Sequence, residues 1–238
     1  LMSFNNISFI LHQPQLSENI GACARAIKNF NFKKLVIINP KPTYPNDKIL
    51  ATSVGAKDIV TNSKVYENLE HAVKKVDYVI ATSTRFRNKN IKHIKLKDLM
   101  KIDFSKKVAF LFGSEASGLS NNEISYANYT MQIPSNPEFK SLNLSHSVIL
   151  IAYTVANIIN LKSSKFLKSK KVSSASKRDI QALTNLCIKK LDEKNFFKPL
   201  EKKPKMLENL RSIFYKMELS DKETRILSSV FASLAKKG

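Results

Sequence analysis

Glycine is scarce in this 238-residue chain: there are five, and two of them, Gly113 and Gly118, fall within the nine residues "FGSEASGLS", around the lone acid Glu115. Tryptophan is absent, and the two cysteines, Cys23 and Cys187, stand far apart. That pair makes neither a disulfide framework nor a metal-ligand spacing, and the four scattered histidines add no zinc cluster. No apolar run reaches the roughly eighteen residues that a membrane span needs. The opening "LMSFNNISFILHQPQ" lacks the basic segment and small-residue cleavage site of a secretory signal. A cytoplasmic protein with no metal and no membrane contact is therefore expected. Acids are the last shortage: 19 Asp and Glu face 40 Lys and Arg, a formal charge of +21. Such an excess attracts polyanions, nucleic acid first among them. The plain alternative is a set of solvated lysines without function, since the basic residues divide into thirty-four lysines and only six arginines.

What is present is ordinary for a folded protein, with 43% hydrophobic and 25% charged residues and a length that suits one domain plus an extension. Short buried strands are expected at "ISFILH" and "LVIIN", both apolar and rich in branched side chains. Between them "SENIGACARAIKNFNF" reads as a helix opened by Ser17 as N-cap. Its Ile20, Cys23, Ala24, Ile27 and Phe30 share one face, and Asn31 sits where a left-handed cap residue belongs. The alternation continues with strands at "KDIVTN", "YVIATS", "KVAFLFG" and "YTMQIP". Helices are expected through "ENLEHAVKKV", from "NNEISYA", and over the long apolar "LNLSHSVILIAYTVANIINL". Strands and helices alternating at this spacing predict an α/β fold, a parallel sheet flanked by helices.

Near residue 162 the character changes. "KSSKFLKSKKVSSASKR" holds seven basic residues, six serines and no acid, the composition of a linker. Beyond it lie only helical patterns, "DIQALTNLCIKKLDEK", "PKMLENLRSIFYKM" and "DKETRILSSVFASLAKK". The expected division is a main domain over 1–162, a linker over 163–178 and a helical extension over 179–238. Up to residue 165 there are 22 basic and 11 acidic residues, and the other 73 residues hold 18 and 8, so the net charges are +11 and +10. The extension is thus the more densely cationic part. It is expected to grip RNA, in which case a chain ending at Lys165 keeps its fold; the alternative is that its apolar stripes brace a dimer.

Three stretches carry candidate chemistry. "FGSEASGLS" follows a strand, so it lies where open α/β sheets bind ligands, yet it has neither the lysine of a phosphate loop nor the spacing of a dinucleotide fingerprint. "IPSNPEFKSLNLSHSV", 133–148, also follows a strand, and Ser141 or Asn143 can cap the next helix. "ENIGACARA", 18–26, places Asn19 and Gly21 at a helix start with Arg25 one turn beyond Gly21. A sequence this sparing of arginine has reason to use the forked, permanently charged guanidinium there.

In this order, the three stretches resemble the motifs of the SpoU-type branch of the SPOUT RNA methyltransferases, over residues 5 to about 162. "NPEFKSLNL" followed by "AY" is most similar to the TrmJ-type tRNA 2′-O-ribose methyltransferases, which act on nucleotide 32 of the anticodon loop. The resemblance implies a C-terminal trefoil knot, S-adenosylmethionine (S-adenosyl-L-methionine) held bent within it, a homodimer, and tRNA as partner, with a basic helical extension in one subgroup. It implies a cofactor pocket from Thr82, Ser83, Thr84, Leu111, Gly113, Ile133, Ser141, Leu142 and Asn143, where Gly113 keeps side-chain volume away from the adenine. It also implies catalytic roles for Arg25, Asn19, Ser141 and Glu115. Subgroup members usually carry arginine, glutamine and glutamate where this chain has Ser114, His146 and Thr154, so rRNA or another tRNA position is an alternative target, and a non-catalytic RNA-binding relative an alternative function.

The chemistry to be done is attack of a ribose 2′-hydroxyl, a poor nucleophile, in line on a methyl group. The resemblance gives Arg25 the task of activating it. A guanidinium releases its proton reluctantly, so binding phosphate and stabilising the developing alkoxide is the favoured role, with action as a base the alternative. Asn19 and Ser141 are expected to orient Arg25 and the nucleotide, and Glu115 to fix its own loop or Asn19.

Overall fold

The computed structural model describes residues 3–83, 91–163 (side chains to 160) and 174–234. Thr84 and most of the expected linker lie outside the described residues. Seven strands among the described residues, β1 (Ile7–His12), β2 (Lys34–Ile38), β3 (Lys64–Tyr66), β4 (Tyr78–Thr82), β5 (Lys92–Lys95), β6 (Val108–Phe112) and β7 (Tyr129–Gln132), form one sheet in the order β3-β2-β1-β6-β4-β7-β5. Every neighbouring pair is parallel. The helices are α1 (Ser17–Asn29), α2 (Asp47–Thr52), α3 (Lys57–Thr61), α4 (Leu69–Val73), α5 (Asn121–Ile124), α6 (Leu144–Ser163), α7 (Lys177–Glu193), α8 (Lys203–Lys216) and α9 (Asp221–Leu234). The expected α/β class with a parallel, helix-flanked sheet is what forms.

The period of two along each strand sorts the side chains into two cores. Ile7, Phe9 and Leu11 of β1 with Val108, Phe110 and Phe112 of β6 point to the face covered by α1, α2, α3 and α6. Phe9 stacks on Phe110 at 5.8 Å and meets Phe32 edge-on at 5.2 Å. Burying each such ring contributes about 1.5–3 kcal/mol. Ile10, Ala109 and Leu111, the intervening residues, point to the opposite face. Both faces are dry, so the strands read as continuous apolar runs.

Two local expectations need correction. "KDIVTN" is no strand: Lys57–Thr61 form α3, which buries the adjacent residues Ile59 and Val60, and the strand is the next segment, Lys64–Tyr66. Branched residues outweigh helix propensity only where a sheet edge is available, and here the helix packs against the main core instead. The strand β5, "KHIK", gave no signal in the sequence, because Ile94 is its one buried apolar residue. As an edge strand carrying Lys92 and Lys95 it is short and charged, as edges usually are.

The helical extension lies on the sheet itself. Ile180, Leu183 and Cys187 of α7 and Phe214 and Tyr215 of α8 share one buried cluster with Ile10, Val79, Ala109 and Leu111 of the strands and with Ile124 of α5. The buried amide of Asn128 adds a polar tie, donating from Nδ2 to the Tyr215 carbonyl at 2.6 Å while its Oδ1 accepts from the Val79 amide at 2.9 Å. Removal of these helices would expose the part of this face that α4 and α5 leave open, which argues against the expectation that a chain ending at Lys165 keeps its fold.

The same seam buries a lysine. Lys177, at the start of α7, is 1% exposed, and its Nζ lies 4.8 Å from the centroid of the Tyr215 ring. Burial pulls its ammonium down to about 7, against the opposing attraction of Asp77, while burial pushes the Tyr215 hydroxyl up and keeps that ring neutral. Between about 7 and the ordinary lysine value of 10.5, the unfolded chain holds a proton that the fold has released. Stability from this group is therefore complete above that window, is lost as pH falls through it, and is constant below about 7. In melting experiments the wild type should gain stability from pH 7 to 9.5 relative to Lys177→Met, whose replacement cannot titrate; a difference that stays flat across that range would refute this.

Candidate active site

The helix α1 begins without a cap of its own. Leu16 occupies the N-cap position and offers no side-chain acceptor, while the expected cap, Ser17, lies inside the helix and accepts a hydrogen bond from Asn46 Nδ2 at 2.9 Å. The amides at such an end need a partner from elsewhere. Glu115, from the loop after β6, supplies it. The Gln15 amide donates to Oε2 at 2.9 Å, the Leu16 amide to Oε1 at 3.4 Å, and Asn19 Nδ2 to Oε1 at 2.8 Å. A carboxylate at a helix N-terminus also complements the helix dipole. Gln15 adds a second tie, donating from Nε2 to Ser114 Oγ at 2.9 Å.

The chain of bonds continues into the third stretch. Asn143 Nδ2 donates to Asn19 Oδ1 at 3.0 Å, and Asn143 Oδ1 accepts from the Ser145 amide at 2.8 Å, so Asn143 caps α6 as expected. One carboxylate and two amides thus fasten the three stretches together. They meet at the C-terminal ends of neighbouring strands, because Leu11 pairs with Phe112, Ala81 with Leu111 and Thr82 with Met131.

Above these strand ends lies a cleft. Its lining mixes apolar side chains, Phe112, Leu119, Ile133, Leu142 and Leu144, with polar ones, Thr82, Ser83, Ser114, Ser117, Lys140, Ser141 and Ser147. Gly113, Glu115 and Gly118 complete one wall. The Thr82 hydroxyl donates to the Leu111 carbonyl at 3.1 Å, and the Ser83 amide donates to the Met131 carbonyl at 2.9 Å. Of the expected site residues, Thr82, Ser83, Gly113, Glu115, Ile133, Ser141 and Leu142 line this cleft, and Asn19 and Asn143 brace it. Leu111 offers only its carbonyl, since its side chain is fully buried in the opposite core. Arg25 does not line the cleft; it is exposed on α1 and makes no hydrogen bond or ion pair among the described residues. Gln15 and Lys140 were missed as site residues. Lys140 belongs to "IPSNPEFKSLNLSHSV", whereas Gln15 lies outside all three stretches and has no signal in the sequence.

Gly113 also has a packing reason within its own loop. A Cβ on Gly113 would meet the Leu119 amide nitrogen at 2.5 Å and the Gly118 carbonyl oxygen at 2.7 Å, so it is the loop's own backbone that excludes a side chain. The loop closes on itself: the Gly118 amide donates to the Ser114 carbonyl at 2.8 Å, with Gly118 at φ +67°. Gly21 of α1 serves a packing role, since a Cβ there would come within 2.6 Å of the Ile49 carbonyl oxygen of α2.

With this geometry in view, the family model described as "SpoU rRNA Methylase family" matches residues 6–153. The chain belongs to the SpoU rRNA methylase family. It is 32% identical over 235 residues to the tRNA (cytidine-2′-O-)-methyltransferase TrmJ of Methanocaldococcus jannaschii, covering 94% of this chain and 98% of that relative. Among solved structures it is similar to TrmJ from Z. mobilis ZM4, with a TM-score of 0.85 and 29% identity over 96% of this chain and 99% of that one. The SpoU methyltransferase AviRb from Streptomyces viridochromogenes, solved in complex with the cofactor AdoMet, shares the fold at a TM-score of 0.51 and 19% identity, covering 66% of this chain and 60% of that one. Among the described residues no helix is long and apolar enough to cross a membrane.

Two substitutions read this site. Gly113→Val should distort the loop, lowering the melting temperature and removing ligand binding in the cleft together. Glu115→Gln presents an amide group to donors that need an acceptor, and should cost about 1.5–3 kcal/mol in a denaturant titration. A Glu115→Gln protein as stable as the wild type would show that these three bonds hold nothing.

Proposed function

We propose that this protein is an S-adenosylmethionine-dependent methyltransferase of the cytoplasm that methylates a ribose 2′-hydroxyl of tRNA, at nucleotide 32 of the anticodon loop. The observation that carries the reading is the bond chain Glu115–Asn19–Asn143, which joins the three motif stretches around one cleft at the strand ends. The full-length likeness to TrmJ proteins supports tRNA as the substrate, and "NPEFKSLNL" supports the nucleotide.

The cleft fits the cofactor. The apolar part of the lining suits adenine, and the hydroxyls of Thr82, Ser83 and Ser141 suit ribose and the amino-acid end. Bound there, S-adenosylmethionine would supply an electrophilic methyl group for a ribose oxygen, and Thr82, Ser83, Gly113, Ile133, Ser141 and Leu142 would hold it. The chain's own work is to position and to stabilise. Ser141, exposed in the cleft lining, orients the nucleotide, and the buried Asn19 acts through the loops it braces, not by the direct contact expected. Glu115, with its oxygens already engaged, holds the loop and Asn19 in place, and Arg25 stabilises the oxygen that attacks and the neighbouring phosphate.

Arg25 lies six residues beyond Asn19 on α1, about 9 Å along the axis and turned by roughly 120°. We infer that it serves the cleft of a second copy in a homodimer. Leu150 and Tyr153 support that reading, standing 41% and 55% exposed on α6, which packs beside α1. The insertion of β6 between β1 and β4, with β7 beyond, supports the trefoil knot implied for the C-terminal part of the domain. The division at 162 and 178 is retained for sequence organisation, with α7 to α9 gripping RNA through their exposed lysines.

Arg25→Ala should lower methyl transfer to tRNA by at least about 10²-fold while cofactor affinity, read by calorimetry, stays unchanged. Mixed dimers of Arg25→Ala with Leu142→Trp, which fills the cleft, should regain activity; no recovery would place Arg25 in its own protomer's site. Methylation mapping of tRNA from a knockout strain tests the nucleotide. Replacing the exposed Lys194, Lys198 and Lys202 by Ala should flatten the salt dependence of tRNA binding by roughly 0.7–0.9 in log–log slope for each phosphate no longer neutralised. An unchanged slope would remove that face from the RNA interface.

A further inference from the structure

The C-terminal helices touch the wall of the cleft as well as the sheet. The loop 113–119 runs directly into α5, whose first turn is closed by Ser120: its amide donates to Glu123 Oε2 at 2.5 Å, and its Oγ accepts from the Glu123 amide at 3.4 Å. The half-buried Arg211 of α8 grips this short helix. Its Nη1 donates to Asn122 Oδ1 at 3.0 Å and to Ser125 Oγ at 3.4 Å, and its guanidinium lies 4.7 Å from the centroid of the Tyr126 ring. Tyr126 in turn meets Tyr215 edge-on at 5.7 Å, and Lys177 covers the far ring. Leu119, part of the cleft lining, is 2% exposed and belongs to the core cluster that Ile180, Leu183 and Phe214 complete.

An α5 of four residues is too short to hold its shape by propagation of helix bonds. Its position is set by what it packs against, and on one side that is α8. Arginine suits the task because a planar fork can donate to two oxygens and stack on a ring at once, which an ammonium cannot.

We propose that Arg211 is a positioning residue for the cleft: by tying α8 to α5 it holds the 113–119 wall in its binding shape, so the C-terminal helices govern cofactor affinity in addition to any grip on RNA. The inference rests on the reading that this cleft binds S-adenosylmethionine. It makes the extension an internal support of the reaction site, coupled to it through Asn122, Ser125 and Tyr126.

The test uses the full chain and S-adenosylmethionine itself. Wild type, Arg211→Ala, Arg211→Lys and Asn122→Ala are compared by calorimetry with the cofactor, by steady-state methyl transfer, and by tRNA binding. Arg211→Ala should weaken cofactor binding and raise the cofactor KM about tenfold, the effect of removing hydrogen bonds from a charged donor. The kcat at saturating cofactor and the tRNA affinity should hold. Arg211→Lys should recover only part of the deficit. Asn122→Ala leaves the guanidinium on its ring, so it gives the same direction of change should Arg211→Ala fail to fold. A cofactor affinity unchanged in Arg211→Ala, or unchanged in Asn122→Ala where the first variant is unfolded, would overturn the proposal; so would a loss confined to tRNA affinity. A wild type that does not bind the cofactor would overturn the reading of the cleft, and this proposal with it.

Discussion

One carboxylate organises the candidate site. Glu115 stands on a loop whose shape depends on Gly113 and Gly118, and it accepts hydrogen bonds from the Gln15 and Leu16 amides and the Asn19 side chain at the uncapped start of α1. The bonds join segments about one hundred residues apart in the chain. Without them the backbone amides of Gln15 and Leu16 leading into α1 would lose their acceptor, and Asn19 would lose one of the two bonds that orient it. A group so fully engaged in accepting bonds is built to hold geometry.

The second constraint is that both faces of the sheet must be covered. A parallel sheet with apolar residues on each face cannot leave one to water. On one face α1, α2, α3 and α6 do this work, and on the other the short α4 and α5 leave space that α7 and α8 fill. The basic extension is for this reason part of the folded core, and its charge lies on the outward surfaces of helices whose inward surfaces are apolar. Arg211 and Lys177 are the exceptions. Both are cations turned towards aromatic rings at the seam, one partly exposed and tied to α5, the other buried deeply enough that its ammonium is pulled down to about 7.

Much of this was legible in the sequence. The strands "ISFILH" and "KVAFLFG" announce themselves by unbroken apolar runs, Asn31 by its place after a helical stripe, and the three motif stretches by polar and glycine residues crowded after strands. The structure draws those stretches into one cleft. The sequence also misled in particular places. "KDIVTN" has the residue types of a strand and forms a helix, "KHIK" has those of a loop and forms an edge strand, and Ser17 has the chemistry of a cap that Glu115 provides instead. In each case the local preference is small, and packing against distant residues outweighs it.

The sequence by itself determined the alternation of strands and helices, the basic charge and the identity of the polar residues gathered at the strand ends. Periodicity and composition are local properties, and burial acts on them directly. Only the tertiary structure decided that a side chain at Gly113 would clash with its own loop, that Arg25 stands outside its own cleft, and that Arg211 of the extension meets α5. Those facts depend on which backbone, ring or carboxylate lies across a gap of a few ångströms from a residue a hundred positions away. No periodicity encodes such a meeting, because it is the closure of the sheet and the packing of helices on its two faces that bring the partners together.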